Sequence, residues 1–268
     1  MPILTPLAWL LLLCAPTACA TAGEPSAAVA HELAPGGRLR VAINLGNPVL
    51  AQRAPGSAGL QGVSVELARE LAGRLRLPID FLTYDGAGKV VDAVGAGAWD
   101  LAFLAIDPVR ADVISYTHPY VVIEGTYLVP AGSPLRTIED VDRAGVRVAV
   151  GRGSAYDLYL TRALKQAQRV EAPSSAEALE LFLRDKLEAA AGVRQPLAEF
   201  AGSHPGVRLL PGRFMSIRQA IAVPKGREAG LPYLNAFIEE LKASGFVAKA
   251  LTASGQDAGI LAPPAPPE

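Results

Sequence analysis

Residues that could act as nucleophiles or metal ligands are few in this chain and lie far apart. The two cysteines, Cys14 and Cys19, both fall within the first 22 residues, and the three histidines, His31, His118 and His204, are widely spaced. A thiolate nucleophile, a disulfide or a cysteine-based zinc site beyond residue 22 is therefore not expected. No G-x-S-x-G segment is present to support a Ser-His-Asp triad. We predict no catalytic residues, no metal site and no cofactor.

Charge and composition exclude two broad classes of protein. Lys and Arg number 25 against 26 Asp and Glu, so the formal net charge is −1. A nucleic-acid-binding protein would need a basic surface, and we expect no nucleic-acid partner. Half of the residues are hydrophobic and 19% are charged, which excludes an intrinsically disordered chain. The 268 residues suffice for one large domain or two smaller ones.

The N-terminal residues have the pattern of an export signal. An apolar run at residues 7–13 is followed by small residues, with A-x-A spacing at Ala18, Ala20 and Ala22. The run is too short to cross a hydrocarbon core of about 30 Å as a helix. We therefore predict a cleaved signal peptide at residues 1–22 and a periplasmic protein. At the other end, the proline-rich residues 257–268 predict a short mobile tail.

Hydrophobic patterning alternates strand and helix in the first half of the chain. Strands are predicted at residues 39–43, 79–84 and 100–106. The last of them is apolar throughout, as in a parallel strand that is buried on both faces. Apolar residues recur every four positions from Val63 to Leu75 and predict a helix that Pro78 ends. A second helix is predicted at residues 90–98, which completes a βαβαβ unit.

The same alternation restarts after an extended stretch at residues 120–130. Strands are predicted at residues 147–150, 187–191 and 219–223, and helices at 154–167, 174–183 and 230–242. Ser154 and Ser174, each with an acidic residue three positions later, are expected to cap two of these helices. Two similar units joined by two extended crossings predict an α/β protein with two lobes on a double hinge. Ligands of such sheets bind outside the carboxyl ends of the strands, so the groove between the lobes is the expected site.

The predicted domain boundaries follow from these crossings. Lobe 1 is discontinuous and comprises residues 36–124 and 224–256, lobe 2 comprises residues 130–219, and the hinge strands are residues 125–129 and 220–223.

Several ordered segments resemble the bacterial extracellular solute-binding proteins of family 3, the amino-acid-type receptors of ABC importers. They are LRV at 39–41, GVSVELA at 62–68, GAWD at 97–100, DPVR at 107–110, ISYTHPY at 114–120, VRVAVGRGS at 146–154, AEAL at 176–179 and AVPK at 222–225. Each segment alone is weak, but their order and spacing together are specific. The resemblance covers about residues 39–251 and implies a two-lobed, periplasmic-binding-protein-like fold.

The resemblance implies particular ligand-binding residues. Arg110 matches the arginine that usually binds the ligand carboxylate, and a guanidinium suits this role because it offers two parallel donors and stays charged. A surface arginine that pairs with Asp107 or Asp112 is the alternative. Gly153 and Ser154 match the family's glycine-threonine pair at a helix start, although Ser154 is also an ordinary N-cap. Ala105 and Asp107 are candidate contacts on a segment shorter than the family's.

Departures from the family pattern bear on the solute. Aromatic residues that often sandwich the ligand are missing at Asn47 and its neighbours, so we expect Tyr84 or Tyr120 to replace them. The family's aspartate for the ligand ammonium has no counterpart, and Arg194 lies nearby in the pattern. With Arg152 and Arg218, Arg194 favours an anionic ligand such as an organic acid. The alternative for each of these arginines is a solvated surface position. Glu124 or Asp107 is the alternative source of an anion for an amine ligand.

Three functions follow from the resemblance. The first is a monomeric receptor that closes on a small anionic or zwitterionic solute, an amino acid or organic acid, and delivers it to an inner-membrane ABC permease. The second is a dehydratase-like enzyme for small acids, which would need a general acid such as Glu124, Asp107 or His118. The third is a ligand sensor. The sequence favours the receptor.

Overall fold

The computed structural model describes residues 24–266 and shows a mixed α/β protein with two lobes. The strands are β1 (Leu39–Asn44), β2 (Gln52–Arg53), β3 (Leu60–Gln61), β4 (Ile79–Tyr84), β5 (Leu101–Ala105), β6 (Ile114–Pro130), β7 (Arg147–Gly151), β8 (Gln168–Ala172), β9 (Ala189–Val193), β10 (Val207–Leu209) and β11 (Met215–Pro224). The helices are α1 (Ala27–Leu33), α2 (Val63–Leu75), α3 (Ala87–Asp92), α4 (Ala155–Ala163), α5 (Ser175–Arg184), α6 (Arg194–Ser203), α7 (Leu231–Ala243) and α8 (Phe246–Ala253). Short 3₁₀ turns lie at Arg110–Asp112, Glu139–Val141, Glu228–Gly230 and Ala258–Ile260.

Local sequence explains where the helices that border the lobes begin and end. Helix α2 starts after Gly62, whose φ of 123° is a conformation that glycine adopts readily and other residues rarely do. A Cβ there would lie 2.3 Å from the Leu50 carbonyl oxygen. The helix ends at Arg76, which has left-handed backbone angles, two residues before Pro78. Ser154 and Ser174 cap α4 and α5 as predicted, because each hydroxyl accepts a backbone N–H three residues later.

One continuous sheet passes through both lobes in the order β4-β1-β5-β11-β6-β9-β7-β8, and β10 pairs with β6. In lobe 1, β4, β1 and β5 are parallel, and β11 lies antiparallel beside β5. In lobe 2, β8, β7 and β9 are parallel, and β9 is antiparallel to β6. Both lobes therefore present the carboxyl ends of three parallel strands, and the segments that follow these ends face each other.

Each lobe has a hydrophobic core on both faces of its part of the sheet. In lobe 1, helices α2, α7 and α8 bury residues such as Leu71 and Phe237 on one face, and the fully buried Trp99 packs on the other. The Trp99 indole donates its N–H to the Val90 carbonyl at 2.9 Å, so burial leaves no donor unpaired. Two further cores, one containing Tyr127 and the other Phe182, enclose the sheet of lobe 2.

The chain crosses between the lobes at other residues than the sequence predicts. Gly125 of β6 pairs with Met215 of β11 and also with Val193 of β9, so the first crossing lies at the start of the predicted 125–129 segment. Residues 126–129 pair with β9 and β10 inside lobe 2. The return crossing precedes β11, because residues 219–222 pair with β5 in the interior of lobe 1. The predicted hinge strand at 220–223 is corrected accordingly.

The C-terminal segment packs against lobe 1 instead of forming a mobile tail. The Ala262 amide donates to the Tyr120 carbonyl at 3.1 Å, and Leu261 forms a β-bridge with Val121. The Lys242 ammonium, on α7, donates to the Pro263 carbonyl at 2.8 Å. Prolines lack backbone donors, but their carbonyls remain available, and the segment uses them to dock. The prediction for residues 257–268 is therefore wrong for the part that the structure describes.

The predicted signal peptide at residues 1–22 lies outside the described residues. Between residues 24 and 266, no helix is both long and apolar enough to span a membrane.

Candidate functional site

A cavity lies between the two lobes. Lobe 1 lines it with the ends of β1 and β5, with the start of α3, with the turn that follows β5, and with part of β11. Lobe 2 lines it with the first turns of α4 and α5 and the end of β9. Its polar lining residues are Asn44, Asn47, Arg110, Ser154, Tyr156, Ser175 and Gln219. The cavity thus occupies the place where ligands of open α/β sheets bind, as the sequence predicts.

Arg110 contributes the positive charge of the cavity. It follows the buried strand β5 in a 3₁₀ turn, and the preceding turn is held by the Asp107 carboxylate, which accepts the Val109 amide at 2.9 Å. The Arg110 side chain is 2% exposed. One terminal nitrogen donates to the Ala105 carbonyl at 3.1 Å, and the other donates across the lobe boundary to the Gly153 carbonyl at 2.8 Å. The predicted residues Arg110, Ala105 and Gly153 are thus brought together.

The guanidinium of Arg110 is buried with no carboxylate in hydrogen-bond contact among the described residues. Its Nε has no hydrogen-bond partner there. Burial lowers the pKa of Arg110, while the nearby Tyr116 and Asp107 act in the opposite direction. A buried cation without a directly paired anion is costly, so this position favours an anionic ligand.

Gly153 and Ser154 shape the lobe 2 wall. The Gly153 amide donates to the Asp157 carboxylate at 2.8 Å, so this predicted donor for an anion is already engaged. Gly153 has a φ of +67°, and a Cβ there would lie 2.7 Å from Cα of Gly88 on α3 of lobe 1. Ser154 lines the cavity and accepts the Asp157 amide at 3.1 Å. Its hydroxyl proton remains available to donate.

The remaining polar lining is neutral. The Tyr156 hydroxyl donates to the Ser175 hydroxyl at 2.7 Å, and burial raises the pKa of Tyr156, which keeps the phenol protonated. Gln219 of β11 and Asn47, which follows β1, lie 5% and 7% exposed. The Asn47 amide oxygen is buried without a hydrogen-bond partner in the described part of the chain.

A second chamber adjoins the first one and is lined mostly by lobe 2. The two chambers share the lining residues Gly46, Asn47, Tyr156, Ser175 and Val193. The rest of the second lining is apolar and comprises Leu179, Ala191, Gly192, Pro196 and Leu197. Together the chambers offer one charged corner, a neutral polar middle and an apolar end.

Asp107 lies beside the cavity and not in its lining. Its carboxylate is 3% exposed and contacts the Arg162 guanidinium of α4 at 2.8 Å. Because Asp107 belongs to lobe 1 and Arg162 to lobe 2, the two form an ion pair across the lobe boundary. The carboxylate is thus used between the lobes, whereas the sequence analysis places it in contact with the ligand.

Arg194 is placed differently from the sequence expectation. It begins α6, and its Nε donates to the Glu124 carboxylate at 2.6 Å, while Arg213 contacts the same carboxylate at 2.8 Å. Burial acts to raise the pKa of Glu124, but the hydrogen bonds from both arginines outweigh it and lower that pKa. Arg194 therefore has its own anionic partner near the hinge and does not line either chamber.

The other two predicted contacts also lie outside the two chambers. Arg152 is 69% exposed in its side chain and pairs with Glu171 at 3.1 Å. Tyr84, at the end of β4, lines a separate, more open hollow beside Asp85 and Lys89. Arg218 is exposed on β11. The cluster of arginines that the sequence suggests around the ligand is therefore not assembled, and Tyr120 is fully buried in the core of lobe 1.

Several lining residues have no counterpart in the sequence expectations. Asn44 ends β1 and Asn47 follows it, Tyr156 and Ser175 belong to the first turns of α4 and α5, and Gln219 lies in β11. The sequence predicts where the parallel strands end, and ligands bind at such ends. This was the one feature of the sequence that could have identified the asparagines. Gln219 could not be found in this way because β11 is antiparallel and enters the site from the side.

Comparison with known proteins agrees with this geometry. Residues 39–253 match the family model described as "Bacterial extracellular solute-binding proteins, family 3". A comparison with curated proteins found no match.

Solved structures of similar fold cover most of both chains. An amino acid ABC transporter substrate-binding protein from Streptococcus pneumoniae bound to L-arginine is 18% identical, with a TM-score of 0.72 and coverage of 87% of this chain and 98% of that one. The solute receptor for L-cysteine of Neisseria gonorrhoeae is 21% identical, with a TM-score of 0.73 and coverage of 84% and 92%. The ancestral amino acid-binding protein AncCDT-1, a precursor of cyclohexadienyl dehydratase, is 21% identical, with a TM-score of 0.70 and coverage of 84% and 97%.

Proposed function

Because the chain belongs to the bacterial extracellular solute-binding proteins of family 3, we propose that it is the substrate-binding component of an ABC importer. In this proposal it binds a small carboxylate-bearing solute, an amino acid or an organic acid, in the cavity between its lobes. The bound, closed form is then recognised by an inner-membrane permease.

The observation that carries the proposal is the environment of Arg110. A guanidinium that is 2% exposed and lacks a carboxylate in hydrogen-bond contact is an unusual arrangement, since buried charges are normally paired. Its Nε has no partner among the described residues, and the Arg110 side chain lines the cavity. A ligand carboxylate would supply the missing negative charge and can accept two N–H groups of one guanidinium.

Closure of the lobes follows from the same residues. Arg110 of lobe 1 contacts Gly153 of lobe 2, and Asp107 contacts Arg162 across the same boundary. These contacts belong to a closed arrangement, because separating the lobes would break both of them. A solute that binds both walls stabilises this arrangement over an open one, which is how a receptor signals occupancy to a permease.

Export and partnership are parts of the same proposal. The signal sequence at residues 1–22 would direct the protein to the periplasm. There it would act as a monomer, with the small solute and the permease as its partners. The ligand sensor remains the alternative for a chain that delivers its signal to a different membrane protein.

The enzymatic alternative lacks a positioned general acid. Glu124 is paired with two arginines, Asp107 is paired with Arg162, and His118 lies on β6 near α7. None of these three side chains lines the cavity. Because a general acid must reach the reacting group within hydrogen-bond distance, this placement favours binding over chemistry.

A thermal-shift assay tests the proposed site. The wild type is heated with a panel of amino acids, hydroxy acids, dicarboxylates and simple carboxylic acids, and at least one of them should raise Tm. Arg110→Ala should abolish that shift, and Arg110→Lys should retain only part of it, because an ammonium keeps the charge but loses the paired donors. Circular dichroism of each variant checks its fold.

Arg184→Ala is the matched control. Arg184 ends α5, is 70% exposed in its side chain and pairs only with its neighbour Asp185, so the shift should persist in this variant. A wild-type-like shift in folded Arg110→Ala, or a wild type that responds to no carboxylate, would contradict the proposal.

A further inference from the structure

We propose that the solute carries a carboxylate and an uncharged body, as a hydroxy acid does, and that amino acids with their α-ammonium group are discriminated against. This inference rests on the proposed function and specifies the substrate class of the same cavity. The observations that carry it are the charges and polarity of the two chambers.

Formal charge in the lining is confined to one residue. Among the described residues that line either chamber, Arg110 alone is charged at neutral pH, and no Asp or Glu contributes. A ligand carboxylate is therefore matched at one corner. An α-ammonium group would lose its water without gaining a carboxylate, and a desolvated ammonium without an anion is costly.

Three acidic residues near the boundary between the lobes are already engaged. Asp107 contacts Arg162 at 2.8 Å, and Asp157 pairs with Arg169 and accepts the Gly153 amide. Glu124 is held by two arginines near the hinge. Redirecting any of these carboxylates toward an ammonium would break an existing ion pair with an arginine. The surroundings therefore do not replace the missing anion of the lining.

The second chamber accommodates an apolar group. Leu179, Pro196 and Leu197 line it, and Gly192 lies so close to Leu197 that a Cβ on the glycine would be 3.0 Å from the leucine methyl Cδ2. The leucine side chain thus occupies the space that a side chain at position 192 would need. This end of the site suits a hydrocarbon body and offers no counter-charge to a cation.

Asn47 provides a polar contact between the charged and the apolar ends. It lines both chambers, and its amide oxygen is buried without a hydrogen-bond partner among the described residues. A hydroxyl group can donate to this oxygen, and it can equally accept from the amide nitrogen if the side chain is turned over. An uncharged hydroxyl on the solute therefore satisfies Asn47 and avoids the cost of burying a second charge.

Matched ligands that differ at one group test the inference. Three carbon skeletons are used, each as the simple acid, the hydroxy acid and the amino acid: propionate, lactate and alanine; isocaproate, leucic acid and leucine; phenylpropionate, phenyllactate and phenylalanine. Kd is measured by isothermal calorimetry at pH 7. For the skeleton that fits best, the hydroxy acid should bind about tenfold or more tightly than the amino acid, which is the ratio expected for one uncompensated group.

The variant Asn47→Asp places a carboxylate in the cavity with almost no change in shape. It should weaken binding of the hydroxy acid and strengthen that of the amino acid, so that the ratio of the two affinities falls at least about tenfold. Ser57→Ala is the control, because Ser57 lies in an exposed turn outside both chambers, and it should leave the ratio unchanged.

The outcomes distinguish a failure of the inferred substrate class from a failure of the proposed receptor function. An amino acid that binds as tightly as its hydroxy analogue, with binding lost in Arg110→Ala, overturns the inference and leaves the proposed receptor function intact. Binding that persists in Arg110→Ala overturns both, and the absence of binding by every skeleton overturns the inference alone. An unchanged ratio in folded Asn47→Asp would contradict the contact between Asn47 and the solute.

Discussion

The Arg162 guanidinium of lobe 2 lies 2.8 Å from the Asp107 carboxylate of lobe 1, and this ion pair stands beside the contact between Arg110 and Gly153. Asp107 is 3% exposed in its side chain, whereas Arg162 is 41% exposed. The pair thus has one buried and one accessible member. It exists only when the lobes are together, so its energy is available to the closed form alone.

Removal of the accessible partner should weaken closure and leave the fold of each lobe unchanged. In Arg162→Ala the buried Asp107 carboxylate loses its counter-charge in the closed form, but can regain water when the lobes separate. We expect solute affinity to fall about tenfold, the effect of one hydrogen bond to a charged group after allowance for solvent screening. Calorimetry with the best solute from the panel measures this change. An unaltered Kd would show that the pair does not contribute to closure.

Gly153 should tolerate no side chain. A Cβ at this position meets Cα of Gly88 at 2.7 Å, and the φ of +67° adds backbone strain for any other residue. Gly153→Ala should therefore hold the lobes apart and reduce solute affinity by at least about tenfold, whereas Gly88→Ala should have a smaller effect. In Gly88→Ala the new methyl approaches the Arg152 carbonyl at 3.1 Å without an unfavourable φ. Small-angle X-ray scattering with and without solute should show the loss of compaction.

Gly73→Ala is the control for these glycine variants. Gly73 lies within α2, and a Cβ there meets no atom within 4 Å. Because alanine favours the helix over glycine by about 0.5–1 kcal/mol, this variant should be more stable and bind normally. Equal affinities of Gly153→Ala and Gly73→Ala would contradict a steric role of Gly153 in closure.

Asp100 should give the protein an acid-sensitive contribution to stability. Its carboxylate is 1% exposed and is held by Arg40 and Arg227 at 2.9 Å each. Burial acts to raise the pKa of Asp100, but the hydrogen bonds from the two arginines outweigh it, so the folded-state pKa lies below the ordinary value of 3.8. A lowered folded pKa means that this stability is present above pH 3.8 and is lost as the pH falls through the folded pKa.

Comparison of the wild type with Asp100→Asn measures this contribution. At pH 7 the variant should have a lower free energy of unfolding by about 3 kcal/mol, since two arginines lose their buried anion. The difference should shrink below about pH 4, where the unfolded wild type takes up a proton on the same carboxyl. Urea unfolding at pH 7, 5 and 3 follows the trend, and a difference that is constant over this range would contradict the assignment.

Much of the fold could be predicted from the sequence because local patterns and tertiary packing agree there. The four-residue apolar spacing from Val63 to Leu75 marks α2 to the residue, and the predicted strand at 79–84 coincides with β4. Strand β8 was missed because Gln168–Ala172 is a polar edge strand with little alternation. The return crossing could not be placed from the sequence, because an apolar extended stretch such as residues 220–223 fits a buried strand as well as a hinge.

The site could be predicted only in part. Arg110 could be identified through the resemblance to family 3, with its position after an apolar strand as support, and in the structure it lines the interlobe cavity. Arg194 and Arg152 could not be judged from the sequence, because each is neutralised by an acid distant along the chain, Glu124 and Glu171. At Asn47 the family pattern points to a missing aromatic residue, and nothing in the sequence marks the amide itself as a ligand contact. The sequence alone therefore does not show which arginines are paired with acidic residues far away along the chain.

The uninterrupted course of β6 through both lobes constrains how the molecule can move. Gly125 pairs with β11 on one side and with β9 on the other. The junction is therefore a paired β-ribbon and not two separate unpaired linkers. Such a ribbon twists and flexes with few independent torsions, which gives the two halves a restricted path of approach. The cavity-lining surfaces of the two lobes therefore meet in the same alignment at each closure. Selectivity depends on this restricted closing motion as well as on the lining residues.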